Sequence, residues 1–364
     1  MPDLILVLKA TIDIDSERRV LAAVSDMGLT GQLVRSAGNT VVVIQSDVSA
    51  IPTHLFSQMD GVAKVVRLTA THPLVLEADP APVRVSSSSA ETIFLGSGQK
   101  RHVIAGPCSV ESREHILEVA RAVKARGATM LRGGAFKPRT SPYEFGGLGE
   151  EALEYLAEAG KIAGLPVVSE VMSARQLEKS LDYIDVLQIG ARNMYNYELL
   201  KEAGLSGKPV LLKRSMSATV DEFLHAAEYV LLTGNVNVIL CERGIRSFEP
   251  RLRNTLDLSS VALIKSTTCL PVVVDPSHAT GRRDLVRTMS RAAIAAGADG
   301  LLIEVHGQPD KSISDAEQAI APDQLASIVD DVRALSEALN LVTEDGAGTS
   351  DMMSKLVASG SFKS

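Results

Sequence analysis

Two spacings of apolar residues alternate along the middle of the chain. Between Arg101 and Ala338, eight short runs rich in Val, Ile and Leu recur: His102–Ala105, Thr129–Arg132, Pro166–Val171, Val186–Ile189, Val210–Leu212, Val236–Leu240, Pro271–Val274 and Leu301–Val305. Near-continuous apolar runs of this length read as strands buried on both faces, the parallel-sheet pattern. Between them the spacing changes to that of amphipathic helices, as over Ser112–Arg126, Glu150–Ala163, Ser173–Leu181, Val220–Leu232 and Arg282–Ala296. Eight strand–helix repeats in about 240 residues is the arithmetic of a (β/α)8 TIM barrel. A doubly wound open sheet is the alternative, but its G-x-G-x-x-G turn is missing: the first run ends Ala105-Gly106-Pro107-Cys108.

The pattern before the barrel differs. Leu4–Leu8 is a short apolar strand, and Asp15–Met27 has helical spacing, with Asp15 or Ser16 as N-cap and Gly28 after the end. Gly31–Ser36 and Thr40–Gln45 flank a Gly38-Asn39 hairpin turn. A helix over Ala50–Met59 and a strand over Val62–Leu68 complete a βαββαβ order, that of an α+β ferredoxin-like domain. The expected division is a ferredoxin-like unit over 1–76, a linker over 77–98, the barrel over 99–340 and a tail over 341–364. The linker reading rests on Asp79-Pro80-Ala81-Pro82 and on Ser86–Ser89, which suit an exposed connector. The 1–76 unit carries no cluster of catalytic residue types and serves as scaffold, oligomer contact or regulatory domain.

Composition narrows the setting. Hydrophobic residues make up 45% and charged residues 22% of the 364, so disorder and disulfide-stapled miniproteins are excluded. Aromatics are 4%, Trp is absent and net charge is −7, which together argue against nucleic acid and anionic membranes as partners. Three cysteines, Cys108, Cys241 and Cys269, form no disulfide framework and point to a reducing cytoplasm. The N-terminus lacks a basic segment and cleavage site, so it is no signal peptide, and no apolar run suits a membrane span.

In a barrel of this kind chemistry sits at the carboxyl ends of the strands. Those positions read Cys108, Arg132, Glu170, Arg192, Lys213, Glu242 with Arg243, Asp275 with His278, and Glu304 with His306. One group is cationic: Arg132, Lys137, Arg139, Arg192, Lys213 and Arg243. Converging guanidinium and ammonium groups suit phosphate and carboxylate, and six exceed the needs of one phosphate, which suggests two anionic substrates. The alternative is ion pairing with carboxylates around the mouth. A second group, Cys108, His278 and Glu304 with Asp315 in the last loop, offers thiolate, imidazole and carboxylate to a borderline transition metal. His306 and Asp310 are rival ligands on that loop. Taken singly, Cys108 is as readily an inert buried thiol and His278 a structural histidine. Cys241 and Cys269 read as core or strand-edge thiols, and Glu170 and Asp275 could simply bond strand ends.

These residues fall within ordered motifs. Ile104-Ala-Gly-Pro-Cys-Ser-Val-Glu-Ser112 resembles the first-strand motif of the phosphoenolpyruvate-dependent sugar-acid synthases. Leu131-Arg-Gly-Gly-Ala-Phe-Lys-Pro-Arg-Thr-Ser-Pro-Tyr143 is similar to that of the 3-deoxy-D-arabino-heptulosonate 7-phosphate (DAHP) synthases in particular. The likeness continues through Gln188–Asn193, Leu212–Arg214, Cys241–Arg246, Asp275–His278 and Ile303–His306, and the leading βαββαβ unit resembles the appended domain of the family's I-beta branch.

The resemblance implies condensation of phosphoenolpyruvate with D-erythrose 4-phosphate and water, the first step of the shikimate route to chorismate and the aromatic amino acids. It implies one divalent ion (Mn, Fe, Co or Zn) on Cys108, His278, Glu304 and Asp315. It implies phosphoenolpyruvate on Arg132, Lys137, Arg192, Lys213 and Arg243, and erythrose 4-phosphate on Arg139, Thr140 and Asn193. His278 and Lys137 are the expected catalytic residues, Lys137 as a proton-handling contact, and Glu170 would position water. A homodimer or homotetramer and feedback by aromatic amino acids are further expectations. Gly307 after His306, where the family often has Pro, departs from the pattern, as do Glu144 and Gly147. The rival readings are the sister synthase that makes 3-deoxy-D-manno-octulosonate 8-phosphate from arabinose 5-phosphate, a Schiff-base aldolase using Lys213, and a non-catalytic effector-binding subunit.

Overall fold

Branched aliphatic side chains fill the eight central strands so densely that, in these strands, every residue except Glu170 is buried. The computed structural model describes residues 4–9, 12–36, 39–46, 48, 51–67, 72–76, 81–137, 143 and 145–339. The chain divides into two compact units, one built on Met1–Asp79 and the other beginning at Pro80.

The first unit contains β1 (Leu4–Leu8), α1 (Ile14–Asp26), β2 (Gly31–Ser36), β3 (Asn39–Ile44), α2 (Thr53–Ser57), β4 (Val62–Arg67) and the short α3 (Pro73–Leu76). Its antiparallel sheet has the order β2-β3-β1-β4, the arrangement expected from the βαββαβ pattern. Leu4, Leu6 and Leu8 alternate inward onto Val20 and Val24 of α1 and Phe56 of α2. The N-cap of α1 is Asp13 rather than Asp15 or Ser16, its carboxylate accepting from Ser16 N at 2.6 Å. The second helix is shorter than expected because Pro52 stands at its N-cap. Gly38 of the expected turn lies outside the described residues.

The second unit opens with β5 (Val83–Ser87) and β6 (Ala90–Leu95), an antiparallel hairpin inside the span read from the sequence as an exposed connector. Val83, Val85, Ile93 and Leu95 are buried against side chains from all eight barrel strands, among them Ile104, Met130, Leu211, Ile239 and Val273. His102, the first residue of the first barrel strand, bonds Phe94 O of the hairpin at 3.2 Å, so the hairpin closes the amino-terminal end of the barrel. Pro and Ser density hid a two-residue alternation that predicts a half-buried strand.

The barrel strands are β7 (His102–Gly106), β8 (Met130–Arg132), β9 (Val167–Val171), β10 (Val186–Ile189), β11 (Val210–Lys213), β12 (Val238–Glu242), β13 (Val272–Val274) and β14 (Gly300–Glu304). All pair in parallel, and β9 against β10 closes the ring, giving the eight-stranded barrel expected. The sixth strand starts two residues later than read, because Val236 is exposed and Asn237 N donates to the Asn235 side chain in the preceding turn. The helices are α4 (Arg113–Ala125), α5 (Glu150–Ala163), α6 (Ala174–Ser180), α7 (Tyr197–Leu205), α8 (Val220–Leu231), α9 (Leu258–Thr267), α10 (Pro276–Thr280), α11 (Arg283–Ala295) and α12 (Pro322–Ala338). Among the described residues no helix is long and apolar enough to cross a membrane.

Arg287 and Arg291 on α11 both reach Asp331 on α12, with four hydrogen bonds of 2.6–3.1 Å. These bonds hold the Asp331 carboxyl at about 2. A carboxyl lowered on folding stabilises above its unfolded value and loses that contribution as pH falls through its folded one. Asp331→Asn is expected to cost about 1 kcal/mol at pH 7, and the difference from the parent chain should vanish as pH falls from about 4 to about 2, read by urea unfolding. Leu95→Ala, which opens a cavity under the barrel, is expected to cost about 3 kcal/mol in the same measurement.

Candidate active site

Strands β13, β14 and β7 are neighbours, and their carboxyl ends bring together four side chains that are far apart in sequence. Cys108 lies just past β7, His278 in α10 just past β13, Glu304 at the end of β14, and Asp315 in the loop after it. Their ligand atoms all lie within 4.8 Å of one another. Cys108 Sγ donates to Asp315 Oδ2 at 2.8 Å, and His278 Nε2 is 3.2 Å from Glu304 Oε1.

Local sequence sets the histidine. Asp275 caps α10 by accepting from His278 N at 2.9 Å through Oδ1, and Pro276 begins the helix. The same three-residue spacing lays the imidazole against the other oxygen: Nδ1 is 2.6 Å from Asp275 Oδ2. A carboxylate can only accept, so Nδ1 carries the proton and Nε2 keeps its lone pair toward Glu304. Burial would raise the Asp275 carboxyl, but His278 and Lys213, whose Nζ is 2.6 Å from Oδ2, hold it well below the carboxylate range. Burial likewise lowers His278 against the pull of Asp275 and Glu304, which keeps the ring neutral. Burial and Glu304 push the Cys108 thiol up to about 12, while Lys137 and Arg132 oppose it. A thiol, a neutral imidazole with a free nitrogen and two carboxylates make a donor set that fits a borderline transition ion.

A second cluster, Glu111, His115 and His306, lies nearby. Here the tautomer is the reverse. His306 Nδ1 accepts from Gln308 N at 2.9 Å, so the neutral ring carries its proton on Nε2, which faces Glu111 Oε2 at 3.3 Å. That nitrogen makes no hydrogen bond, and neither ring nitrogen of His115 has a partner in the protein. His306 stands outside the first cluster, and Asp310 pairs with Arg283.

Beside the four donors opens a cavity of about 450 Å³ lined by Lys137, Glu170, Arg192, Lys213, Arg243, Arg246, Arg253, Asn254, His278 and Asp315, among others. Lys137 Nζ donates to Cys108 Sγ at 2.6 Å, and Arg132 Nη1 donates to Glu304 Oε1 at 3.1 Å and to Pro107 O at 2.8 Å. Arg243 donates to His278 O, while its other terminal nitrogen, Nη1, is buried with no partner in the protein. A buried guanidinium nitrogen without a partner is costly unless an anion meets it. Two glycines make room: a Cβ on Gly134 would lie 2.5 Å from Cys108 O, and one on Gly190 1.9 Å from Glu170 Oε1.

Not every sequence expectation converges here. Arg139 and Thr140 lie outside the described residues. Asn193 does not line the cavity; its side-chain oxygen accepts from Asn196. Glu242 is fully buried and taken up by Arg214 and Gly244 N, and Cys241 belongs to the barrel core. Arg246 and Arg253 were missed. They sit in the loop after β12, which an Ile245–Thr255 bridge folds back over the mouth; that bridge pairs residues ten apart and left no periodic signal.

Comparison with known proteins agrees with this geometry. Residues 81–340 match the DAHP synthetase I family. The phospho-2-dehydro-3-deoxyheptonate aldolase of Thermotoga maritima is 43% identical over 339 residues, covering 93% of this chain and 99% of that protein. Its crystal structure superposes with a TM-score of 0.72 at 42% identity over 94% of this chain and 99% of that one. A 2-dehydro-3-deoxyphosphooctonate aldolase of Nitrobacter hamburgensis is 34% identical over 261 residues, 66% of this chain and 90% of that protein. The chain belongs to the DAHP synthetase I family.

Proposed function

We propose that this chain condenses phosphoenolpyruvate with D-erythrose 4-phosphate and water, giving 3-deoxy-D-arabino-heptulosonate 7-phosphate and phosphate, as an aldol-type transferase of the shikimate pathway. The observation that carries the reading is the juxtaposition of four metal donors with a cavity lined by six cationic side chains, Lys137, Arg192, Lys213, Arg243, Arg246 and Arg253. The Thermotoga maritima relative, which aligns along the leading domain as well as the barrel, supports the heptulosonate over the octulosonate product.

Cys108, His278, Glu304 and Asp315 would hold one divalent ion, which when bound polarises the aldehyde oxygen as a Lewis acid. Arg132, Lys137, Arg192, Lys213 and Arg243 hold the carboxylate and phosphate of phosphoenolpyruvate; Arg139 and Thr140 serve the sugar phosphate, with Arg246 adding charge at the mouth. Neutralising two anions that would otherwise repel is most of what these residues contribute, because orientation converts a collision into a bound step. Carbon 3 of phosphoenolpyruvate forms the new bond to the aldehyde carbon. Water then adds at carbon 2, and phosphate departs with cleavage of its C–O bond. Lys137, 2.6 Å from Cys108 Sγ, would handle a proton there. Glu170 lines the same cavity, is the one barrel-strand residue left partly open, and would position the water. Feedback through the 1–76 unit and a homodimeric or homotetrameric assembly belong to the same proposal, as does a reducing cytoplasm, which suits an odd, sparse set of three cysteines.

Chelation with EDTA is expected to lower turnover at least about 100-fold, with Mn²⁺ restoring it. Cys108→Ala should lose activity without recovery on adding metal; full activity at one metal per chain would overturn the ligand assignment. In parallel assays erythrose 4-phosphate should be turned over and arabinose 5-phosphate not. The reverse preference would assign the octulosonate reaction instead.

A further inference from the structure

The geometry points to Gln318 and Arg253 as positioning residues that fix which oxygen of each metal-binding carboxylate faces the ion. This deepens the metal-centre reading and rests on it. Neither residue is one of the four donors, and Gln318 is 98% buried, with 2% of its surface exposed.

The contacts form a single strap. Gln318 Nε2 donates to Glu304 Oε2 at 2.6 Å. Gln318 Oε1 accepts from Arg253 Nη1 at 2.8 Å, and the same nitrogen donates to Asp315 Oδ1 at 3.0 Å. Arginine has only donors and a carboxylate only acceptors, so the orientation of the Gln318 amide between them is forced by chemistry. The strap occupies one oxygen of each carboxylate. What remains free of it is Glu304 Oε1, facing His278 Nε2 at 3.2 Å, and Asp315 Oδ2, facing Cys108 Sγ at 2.8 Å. Glu304 Oε1 also accepts from Arg132 Nη1 at 3.1 Å, so the strap turns the second oxygen of each carboxylate toward the other donors without leaving that of Glu304 unbonded.

Asp315 needs this support more than the others. Cys108, His278 and Glu304 stand on or beside strand ends, whereas Asp315 lies in a loop and is the one non-glycine among the described residues with positive φ, at 54°. That left-handed conformation costs free energy in an L-residue and persists when the surroundings fix it. Its backbone oxygen accepts from Gln318 N at 3.2 Å, so Gln318 holds the loop as well as the glutamate. Arg253 is brought close by a glycine: a Cβ on Gly281 would lie 2.6 Å from Arg253 Cβ. Outer hydrogen bonds of this kind are worth 10- to 100-fold in metal affinity at other sites.

The test is Co²⁺ titration of the full-length chain, freed of metal, read by the thiolate-to-cobalt absorption band and by competition with a chelator. The parent should bind one Co²⁺ with that band. Gln318→Met, which keeps the length and removes both bonds, is expected to weaken binding about 10- to 100-fold and to shift the visible cobalt bands, while the metal-free chain still unfolds in one cooperative thermal transition. Arg253→Met should do the same, and the double variant should lose less than the product of the two singles, because both cut one strap. If Gln318→Met does not fold, Gln318→Asn, one methylene too short to span, takes its place. Binding within twofold of the parent with unchanged bands would overturn the inference, and fully multiplicative losses would overturn the single strap. Absence of the thiolate band in the parent chain would instead mean that the metal-centre reading fails, and the inference with it.

Discussion

Lys213, Asp275, His278, Glu304 and Arg132 form a continuous line of buried polar contacts across the barrel mouth, with successive separations of 2.6, 2.6, 3.2 and 3.1 Å. Charges taken out of water must be paired or they destabilise the fold by several kcal/mol. Lys213 on Asp275 and Arg132 on Glu304 satisfy that demand, while His278 Nε2 and Glu304 Oε1, both acceptors, face each other unbonded. The line also sets the chemistry, because each bond decides a protonation state. Asp275 fixes the tautomer of His278, Lys213 keeps Asp275 ionised, and Arg132 offsets the charge of Glu304.

The rest of the barrel serves this line. The β5–β6 hairpin fills the amino-terminal end with Val83, Val85, Ile93 and Leu95, so the interior below the mouth is apolar and packed. The charged side chains of the site stand at the strands' carboxyl ends, where strand spacing sets their separation. The contrast between His278 and His306 shows how little is needed to change the outcome. Both follow barrel strands and both face a carboxylate, yet one bonds that carboxylate through Nδ1 and the other accepts a backbone N–H there. The hydrogen bond at Nδ1 decides which ring nitrogen of a neutral imidazole keeps its lone pair.

Much of the architecture was legible because the signal was local. Runs such as Val186–Ile189 and Val210–Lys213 declare buried parallel strands, and Ser112, Ser173 and Thr219 cap the helices that follow them. The hairpin at 83–95 was masked by flanking Pro and Ser, though its alternation was present. The donor quartet was legible for a topological reason: in a closed barrel the first, seventh and eighth strands must be adjacent, so Cys108, His278 and Glu304 could be placed together before any coordinates. Arg253 and Gln318 were not legible, since loop paths follow no period, and Arg246 stood in the Cys241–Arg246 motif without being read as lining the site, while Asn193, beside Arg192, turns to Asn196.

The sequence by itself therefore determined the periodicity, the strand count, the ring order and the residue types at each strand end, all of which follow from spacing of 2 or 3.6 and from closure of the sheet. Only the tertiary structure decided the tautomers, the pairing of each cation and the oxygen that each carboxylate turns toward its neighbours. Those depend on hydrogen-bond directions between groups up to about two hundred residues apart, as for Cys108 and Asp315. No local pattern encodes a direction over that distance; it is set where the packed backbone brings donor and acceptor to within 3 Å.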